Sequence, residues 1–291
     1  DLNDAGGRNI LTGTSLSIGG LVDDVVFTPN LTALSLNGTV QDDQFTLSLT
    51  AGALTFRRQT VGLGQDVTTQ FFVPTNIEID VDIDALTGND TLTIDNSGGN
   101  QLPGTITFKG GDAGFDVLAF RGTGNANSQV LYQPDAAFPD RGVLTIDDGV
   151  RQVIDFTGLE PIDITGTNTF IFQTPNSTDD ITVVAGIAED PVNGGVSALR
   201  IQGFTGLTGG GLPLPFERVN VFDVPNVVID LAAEDEATGT LPNDRITFSG
   251  SAGNPFQANA LMERLTINTG IGQDTITFDN IDDLRMPVRN S

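Results

Sequence analysis

NDTLTIDNSGGNQLPGTITFKGGDAGFDVLAF, residues 89–120, holds three short apolar-alternating runs, and each returns later in the chain. NDTLTI (89–94) comes back as NDRITF (243–248), GTITF (104–108) as ERLTI (263–267), and GFDVLAF (114–120) as GQDTITF (272–278). Self-similarity of this kind marks a repeat architecture.

The match extends outward. FVPTNIEID (72–80) returns as FDVPNVVID (222–230), LSIGGLVDDVVF (16–27) as LTIDDGVRQVIDF (144–156), DDQFTLSLTAG (42–52) as DDITVVAG (179–186), and ALTF (53–56) as ALRI (198–201). The offset drifts from 128 to 159 residues, so the second copy carries insertions. The sequence therefore reads as copy one over 1–122, copy two over 123–281 stacked on copy one, and a tail or the start of a further element over 282–291. A pattern that begins and ends in mid-unit reads as an excerpt from a longer tandem array.

Within each copy, apolar residues at i and i+2 face one way, with Thr or Asp between them, as in Phe45–Leu49, Ile181–Val183 and Ile246–Phe248. These runs are three to six residues long and bounded by Gly, Asn, Asp or Pro; between 144 and 164 they come about nine residues apart. Val, Ile, Thr and Phe suit a pleated surface, while seven Glu and one Lys leave little material for helices. The expected fold is all-β, a parallel β-helix or β-solenoid of short strands. Tandem antiparallel β-sandwich domains, which want strands of five to eight residues, are the alternative.

Composition removes most chemistry. The 291 residues include no Cys and no His, which excludes thiol and imidazole catalysis and nearly all zinc, copper or haem sites. A formal net charge of −25 repels nucleic acid and anionic membrane surfaces and leaves cations and other proteins as partners. No run of about 18 apolar residues occurs. Membrane insertion and an export signal are therefore not expected in this stretch.

What remains is carboxylate, hydroxyl and Arg chemistry. An Asp precedes strand after strand, in GND (88–90), GFD (114–116), DD (179–180), PND (242–244) and GQD (272–274). Asp90 and Asp116 are 26 residues apart and Asp244 and Asp274 are 30 apart. If each coil takes that length, these carboxylates stack about 4.8 Å apart in neighbouring coils. Stacked carboxylates need compensation, either from calcium, which takes six to eight oxygens, or from an Asx-turn in which each accepts its own backbone N–H. Asp90, Asp116, Asp244 and Asp274 are thus the candidate calcium ligands; no other cofactor is expected.

Glu78, Asp80, Asp82 and Asp84 alternate with Ile77, Ile79, Val81 and Ile83, which reads as a solvated face opposite a buried one. Of the adjacent basic pair, one of Arg57 and Arg58 is expected to face solvent and the other to pair with an acid such as Asp66. The acidic pairs Asp23/Asp24, Asp147/Asp148 and Asp179/Asp180 are candidate glycosidase carboxylates, but adjacent strand residues point to opposite faces. A single Tyr, Tyr132, leaves little to stack on a sugar. Asn30, Asn37, Asn89 and Asn176 begin glycosylation sequons that arise readily in an Asn- and Thr-rich chain. Most of the 18 Phe fall on the apolar phase and read as core.

VIDFTGLEPIDITG (153–166), FERVNVFDVPNVVIDL (216–231) and LTINTGIGQDTITFDN (265–280) together resemble the repeat unit of very large bacterial surface exoproteins. GLEP (158–161) occurs only in copy two, copy one having PNLT (29–32). The resemblance implies an extracellular, cell-surface structural or adhesive module with no reaction of its own. Its implied partners are other proteins, surface polysaccharide, or further copies of itself. A second likeness, of GGDAGFDVLAF (110–120) and part of GIGQDTITF (270–278), is to the haemolysin-type calcium nonapeptide. That family repeats the motif in tandem, whereas here the motifs stand apart. A calcium-ordered filament or surface-layer subunit is the first alternative, and a β-helical polysaccharide-degrading enzyme the second.

Overall fold

A computed structural model describes residues 33–50, 52–62, 64–72, 78–102, 104–111, 114–175, 178–206, 213–232 and 243–284, and the short strands 9–11, 15–18 and 25–27. The first strands, β1 (Asn9–Leu11), β2 (Ser15–Ile18) and β3 (Val25–Phe27), lead to β4 (Ala33–Asn37). A meander of β5 (Asp43–Thr50), β6 (Ala53–Thr60) and β7 (Gln65–Phe72) precedes β8 (Asp80–Asp84), β9 (Thr91–Asp95), β10 (Gly104–Lys109) and β11 (Val117–Arg121). A second meander, β12 (Gln129–Pro134), β13 (Arg141–Asp147) and β14 (Arg151–Thr157), is followed by β15 (Ile162–Thr165) and β16 (Thr169–Gln173). Then come β17 (Asp180–Ile187), β18 (Ser197–Thr205), the two-residue β19 (Leu214–Pro215) and β20 (Val219–Val221). The last elements are β21 (Asn226–Asp230), β22 (Arg245–Ser249), a helical turn α1 (Pro255–Ala258), β23 (Arg264–Asn268) and β24 (Thr275–Asp279).

The protein is all-β; β1 and β3 form a separate two-stranded parallel sheet, and the other strands are dealt between two large mixed sheets. The first runs β2-β4-β8-β10-β14-β13-β12-β16-β21-β23, and the second β24-β22-β17-β18-β20-β15-β11-β9-β5-β6-β7 with β19 beside β18. From β8 to β11 the chain crosses from one sheet to the other at every strand, and it does so again from β20 to β24. These steps pair in parallel: β10 lies on β8, β11 on β9, β23 on β21 and β24 on β22. The two meanders, and β17–β18–β20 as a third, pair antiparallel, each within one of the two sheets.

The expectation of strands no longer than six residues fails in those meanders. β5, β6, β7 and β17 have eight residues and β18 has nine. A hairpin partner satisfies the backbone groups that a corner would leave open, so both arms of a hairpin run on.

Alternation places the core. In β4, Leu34 and Leu36 are buried between half-exposed Ser and Asn; in β16 the same phase buries Phe170 and Phe172, and in β21 Val227 and Ile229. Parallel register aligns these side chains into rows such as Leu34–Val81–Ile106–Ile154. Inward residues of both sheets form one continuous cluster, with the Phe45 ring of the second sheet 6.5 Å from Phe108 of the first. Ile79, Val81 and Ile83 are buried as expected, with Glu78 and Asp80 exposed opposite them and Asp82 and Asp84 half-buried; Ile77 lies outside the described residues. Tyr132 is wholly buried between Phe156 and Phe172, and its hydroxyl donates to the Glu217 carbonyl.

The arginine pair differs from expectation. Arg57 both faces solvent and pairs with Asp66 at 2.5 Å, whereas Arg58 is buried and donates to the Asn37 carbonyl at 2.8 Å. Successive strand residues point to opposite faces, so only Arg57 reaches the acid on the neighbouring strand. No helix among the described residues is long and apolar enough to cross a membrane.

Candidate functional site: the aspartate columns

The recurring Asp residues stand at the entry of strands in the second sheet, and neighbours in that sheet bring them together across long stretches of chain. The Asp43 N–H donates to Asp90 Oδ1 at 2.7 Å, the Asp90 N–H to Asp116 Oδ1 at 2.8 Å, and the Asp116 N–H to Glu160 Oε2 at 3.3 Å. Later in the chain the pattern returns: the Asp179 N–H donates to Asp244 Oδ1 at 2.8 Å and the Asp244 N–H to Asp274 Oδ1 at 3.1 Å. Asp90, Asp116, Asp244 and Asp274 each therefore accept the N–H of the Asp on a neighbouring strand. The Asx-turn expected from sequence, with each carboxylate on its own backbone, is not what these residues form.

A second column runs the opposite way one residue earlier. The Asn89 N–H donates to Asp42 Oδ1 at 2.8 Å, the Phe115 N–H to Asn89 Oδ1 at 2.9 Å, and the Gln273 N–H to Asn243 Oδ1 at 3.1 Å. The Asn-Asp dipeptide in NDTLTI and NDRITF thus serves both directions, its Asn accepting from the neighbouring strand on one side and its Asp from the neighbouring strand on the other. At Phe115 the second column ends for want of an acceptor side chain.

The Gly two residues before Asp explains the G-x-D spacing. Gly88 and Gly114 have φ of +136° and +135°, which side chains disfavour. A Cβ on Gly114 would stand 1.5 Å from the Gly88 carbonyl oxygen, so the turns can stack at this distance only as glycines.

Where the columns end, hydroxyls close them. The Thr39 N–H and Oγ1 donate to Asp43 Oδ2 at 2.6 and 2.9 Å, and Thr60 Oγ1 to Asp43 Oδ1 at 2.6 Å. Thr174 Oγ1 donates to Asp179 Oδ2 at 2.6 Å. Asp43, Asp90, Asp116, Asp179 and Asp244 are all buried, and Asp274 is half-buried.

Burial of this kind disfavours the charged form. Asp90 is pushed up to about 7, chiefly by burial and further by the charges of Asp116, Asp43 and Asp42, against the pull of the Asp43 N–H. Burial raises Asp116 to about 6, with Glu160 and Asp42 adding to it. Burial likewise raises Asp179 to about 7, with the Thr174 hydroxyl opposing and Asp244 adding. Asp90 Oδ2 is buried without a hydrogen-bond partner, which is where a proton would sit.

Of the four candidate calcium ligands, Asp90 meets Asp116 and Asp244 meets Asp274; the two pairs belong to separate columns with β15, β20, β18 and β17 between them in the sheet. Among the described residues no three acids converge in a geometry that could hold a metal. The candidate glycosidase pairs come apart: Asp179 is buried in its column, while Asp180 faces outward and pairs with Arg245. Asp148 takes hydrogen bonds from Thr123 and Asn125, with Asp147 beside it exposed, and Asp23 and Asp24 lie outside the described residues. Asn30 and Asn176 lie outside them too.

A further carboxylate knot carried no sequence motif. Asp163 on β15 accepts from Asn220 Nδ2 at 2.7 Å and from the Glu189 and Asp190 N–H groups at 2.6 and 2.7 Å. Glu189 pairs with Arg200 and Arg218, and Asp190 with Arg121. The loop after β17 is thereby fastened to the outer face of the second sheet by three of the chain's 13 cations. No local pattern in the sequence pointed to it, because its partners lie 11 to 69 residues apart.

No protein-family model matches the chain, and no curated protein or solved structure matches it either.

Proposed function

We propose that the chain is a non-catalytic, extracellular structural and adhesive module, a β-solenoid segment of a giant repetitive surface protein built from two stacked copies of one unit. The observation that carries this reading is the recurrence of one hydrogen-bond column, Asp43–Asp90–Asp116 and again Asp179–Asp244–Asp274. In both, the side chains best suited to chemistry spend their oxygens on joining one strand layer to the next. The chain's crossing from sheet to sheet at successive strands supports a solenoid, with the antiparallel meanders as insertions within its walls. A pile of such layers buries a face that no single layer can bury alone.

A surface module of this kind presents outward a face dense in carboxylates, hydroxyls and amides. Its outer ladder Gln133–Gln173–Asp230–Asn268 is joined side chain to side chain across four strands of the first sheet. The partners proposed are surface polysaccharide, other proteins or further copies. The test is to incubate the chain with immobilised acidic and neutral polysaccharides and measure both retention and release of reducing ends. Retention without release is expected; release of reducing ends overturns the non-catalytic reading in favour of a polysaccharide-degrading enzyme.

A further inference from the structure

The outer face of the first sheet changes character along its length. β4 and β8 point Ser35, Asp80, Asp82 and Asp84 outward. On β12, β16 and β21 the same face carries an apolar row, Leu131–Ile171–Val228, aligned by parallel register and half-buried. A polar row flanks it on each side, roughly 6.7 Å away along the strands. On one side Gln133 Nε2 donates to Gln173 Oε1 at 2.7 Å and Gln173 Nε2 to Asp230 Oδ2 at 2.9 Å, so these side chains are fixed in line. On the other stand Gln129, Thr169 and Asn226. Of these outward positions only Asp230 is charged, and Asn268 Nδ2 on β23 donates to its second oxygen at 2.8 Å.

A nearly neutral stripe on a chain of net charge −25 selects its ligand. Anions are repelled by the molecule as a whole. A cation meets a single carboxylate whose two oxygens already accept hydrogen bonds. A protein partner, a second copy included, needs roughly 800 Å² from each side. Three aliphatic side chains that are already half-buried fall far short of that. A pyranose ring with equatorial hydroxyls matches better, because its faces are C–H and its hydroxyls point outward from the rim. Laid on the aliphatic row, it directs those hydroxyls at amides on both sides, which donate and accept. Strands about 4.8 Å apart repeat the three-row pattern, so a linear chain of such rings can lie across them.

Resting on the adhesive-module reading above, we infer that the Leu131–Ile171–Val228 row and its flanking amides bind a neutral, linear polysaccharide of equatorially substituted pyranose units, lying across β12, β16 and β21. The ladder holds its donors and acceptors in line before the sugar arrives, which lowers the ordering cost of binding. Aliphatic side chains take the place of the aromatic platform that wholly buried Tyr132 cannot supply.

Retention of the chain on microcrystalline cellulose, with polygalacturonate as the acidic comparison, tests this at low and high sodium chloride. Wild type is expected to be retained by cellulose at both salt concentrations and not by polygalacturonate. Ile171→Lys and Gln173→Ala should each weaken retention about tenfold or more with the melting temperature unchanged. Val192→Lys, on the exposed loop after β17, should bind like wild type. Should Ile171→Lys fail to fold, Gln173→Ala alone decides. A wild type that passes through cellulose or prefers polygalacturonate overturns the inference, and so does retention that survives in folded Ile171→Lys or Gln173→Ala. Concentration-dependent self-association that Ile171→Lys abolishes overturns it too, by making this face a contact between copies. These failures leave the non-catalytic reading standing, which falls only on release of reducing ends.

Discussion

The Asp43 N–H sits 2.7 Å from the carboxylate of Asp90, 47 residues away, and the Asp179 N–H sits 2.8 Å from that of Asp244, 65 residues away. Two buried acids are held close enough to repel, and what they gain is one charge-assisted hydrogen bond each to a neighbouring backbone. Such a column is strongest when part of its charge is neutralised by protons.

Stability should therefore depend on pH in an unusual direction. Asp90 and Asp179 at about 7 and Asp116 at about 6 lie above the ordinary unfolded value near 4. The native state thus binds protons more tightly than the unfolded chain, and its stability falls as pH rises through 6 to 7. Half-buried Glu217, raised to about 8 by partial burial and by Glu160, extends the decline upward. Melting at constant ionic strength is expected to be highest near pH 5 and lower at pH 8; a flat or rising profile over that interval would contradict the assigned burial.

Ile246→Asp should unfold the second half of the chain, because a charge in the closed core has neither water nor partner. The sequence places Ile276 in the same apolar column, yet it is 43% exposed, so Ile276→Asp should melt within a few degrees of wild type. Circular-dichroism melts of the two variants decide it, and equal destabilisation would mean that β24 is covered after all.

Gly114→Ala should cost at least about 2 kcal/mol, combining a strained positive φ with a collision against the Gly88 carbonyl. Urea unfolding gives the number directly. A loss below about 0.5 kcal/mol, the range of ordinary surface changes, would show that the turns do not stack this closely.

Much of this was legible in the primary sequence, and the limits of that reading are physical. Alternation located Val81, Ile83, Ile106 and Phe108 in the core, and the spacing of Asp90 to Asp116 and of Asp244 to Asp274 anticipated that each pair would stack. Alternation has period two in parallel and antiparallel strands alike, so it could not show that β6 and β13 run backwards. Matching DD at 42–43 to DD at 179–180 places the columns one residue out of step. The hydrogen bonds make Asp43, not Asp42, the counterpart of Asp179, since both donate to the Asp of an Asn-Asp pair. The Arg121, Arg200 and Arg218 fastening was invisible because its geometry is set by sheet order, which no local pattern records.

Screening should stabilise the chain whatever its sites do. A net charge of −25 on a compact body repels itself, so molar sodium chloride is expected to raise the melting temperature at pH 8. Calcium at constant ionic strength, compared with chelator, isolates the rival in which cations order the columns. With Oδ1 of Asp90, Asp116, Asp244 and Asp274 already accepting or facing backbone N–H groups, no added shift beyond screening is expected; a shift that saturates at millimolar calcium would support the calcium-ordered filament instead.

The central claim is that the Asp columns are hydrogen-bonded seams, and comparing Asp90→Asn with Asp90→Ala by urea unfolding at pH 8, with and without calcium, tests it most directly. Asn keeps the acceptor for the Asp43 N–H and removes the buried charge, so Asp90→Asn is expected to be at least as stable as wild type. Ala leaves that buried N–H unpaired and should cost about 1–3 kcal/mol. If Asp90→Asn loses as much stability as Asp90→Ala, or if wild type exceeds both only when calcium is present, the seam is not what holds these strands together.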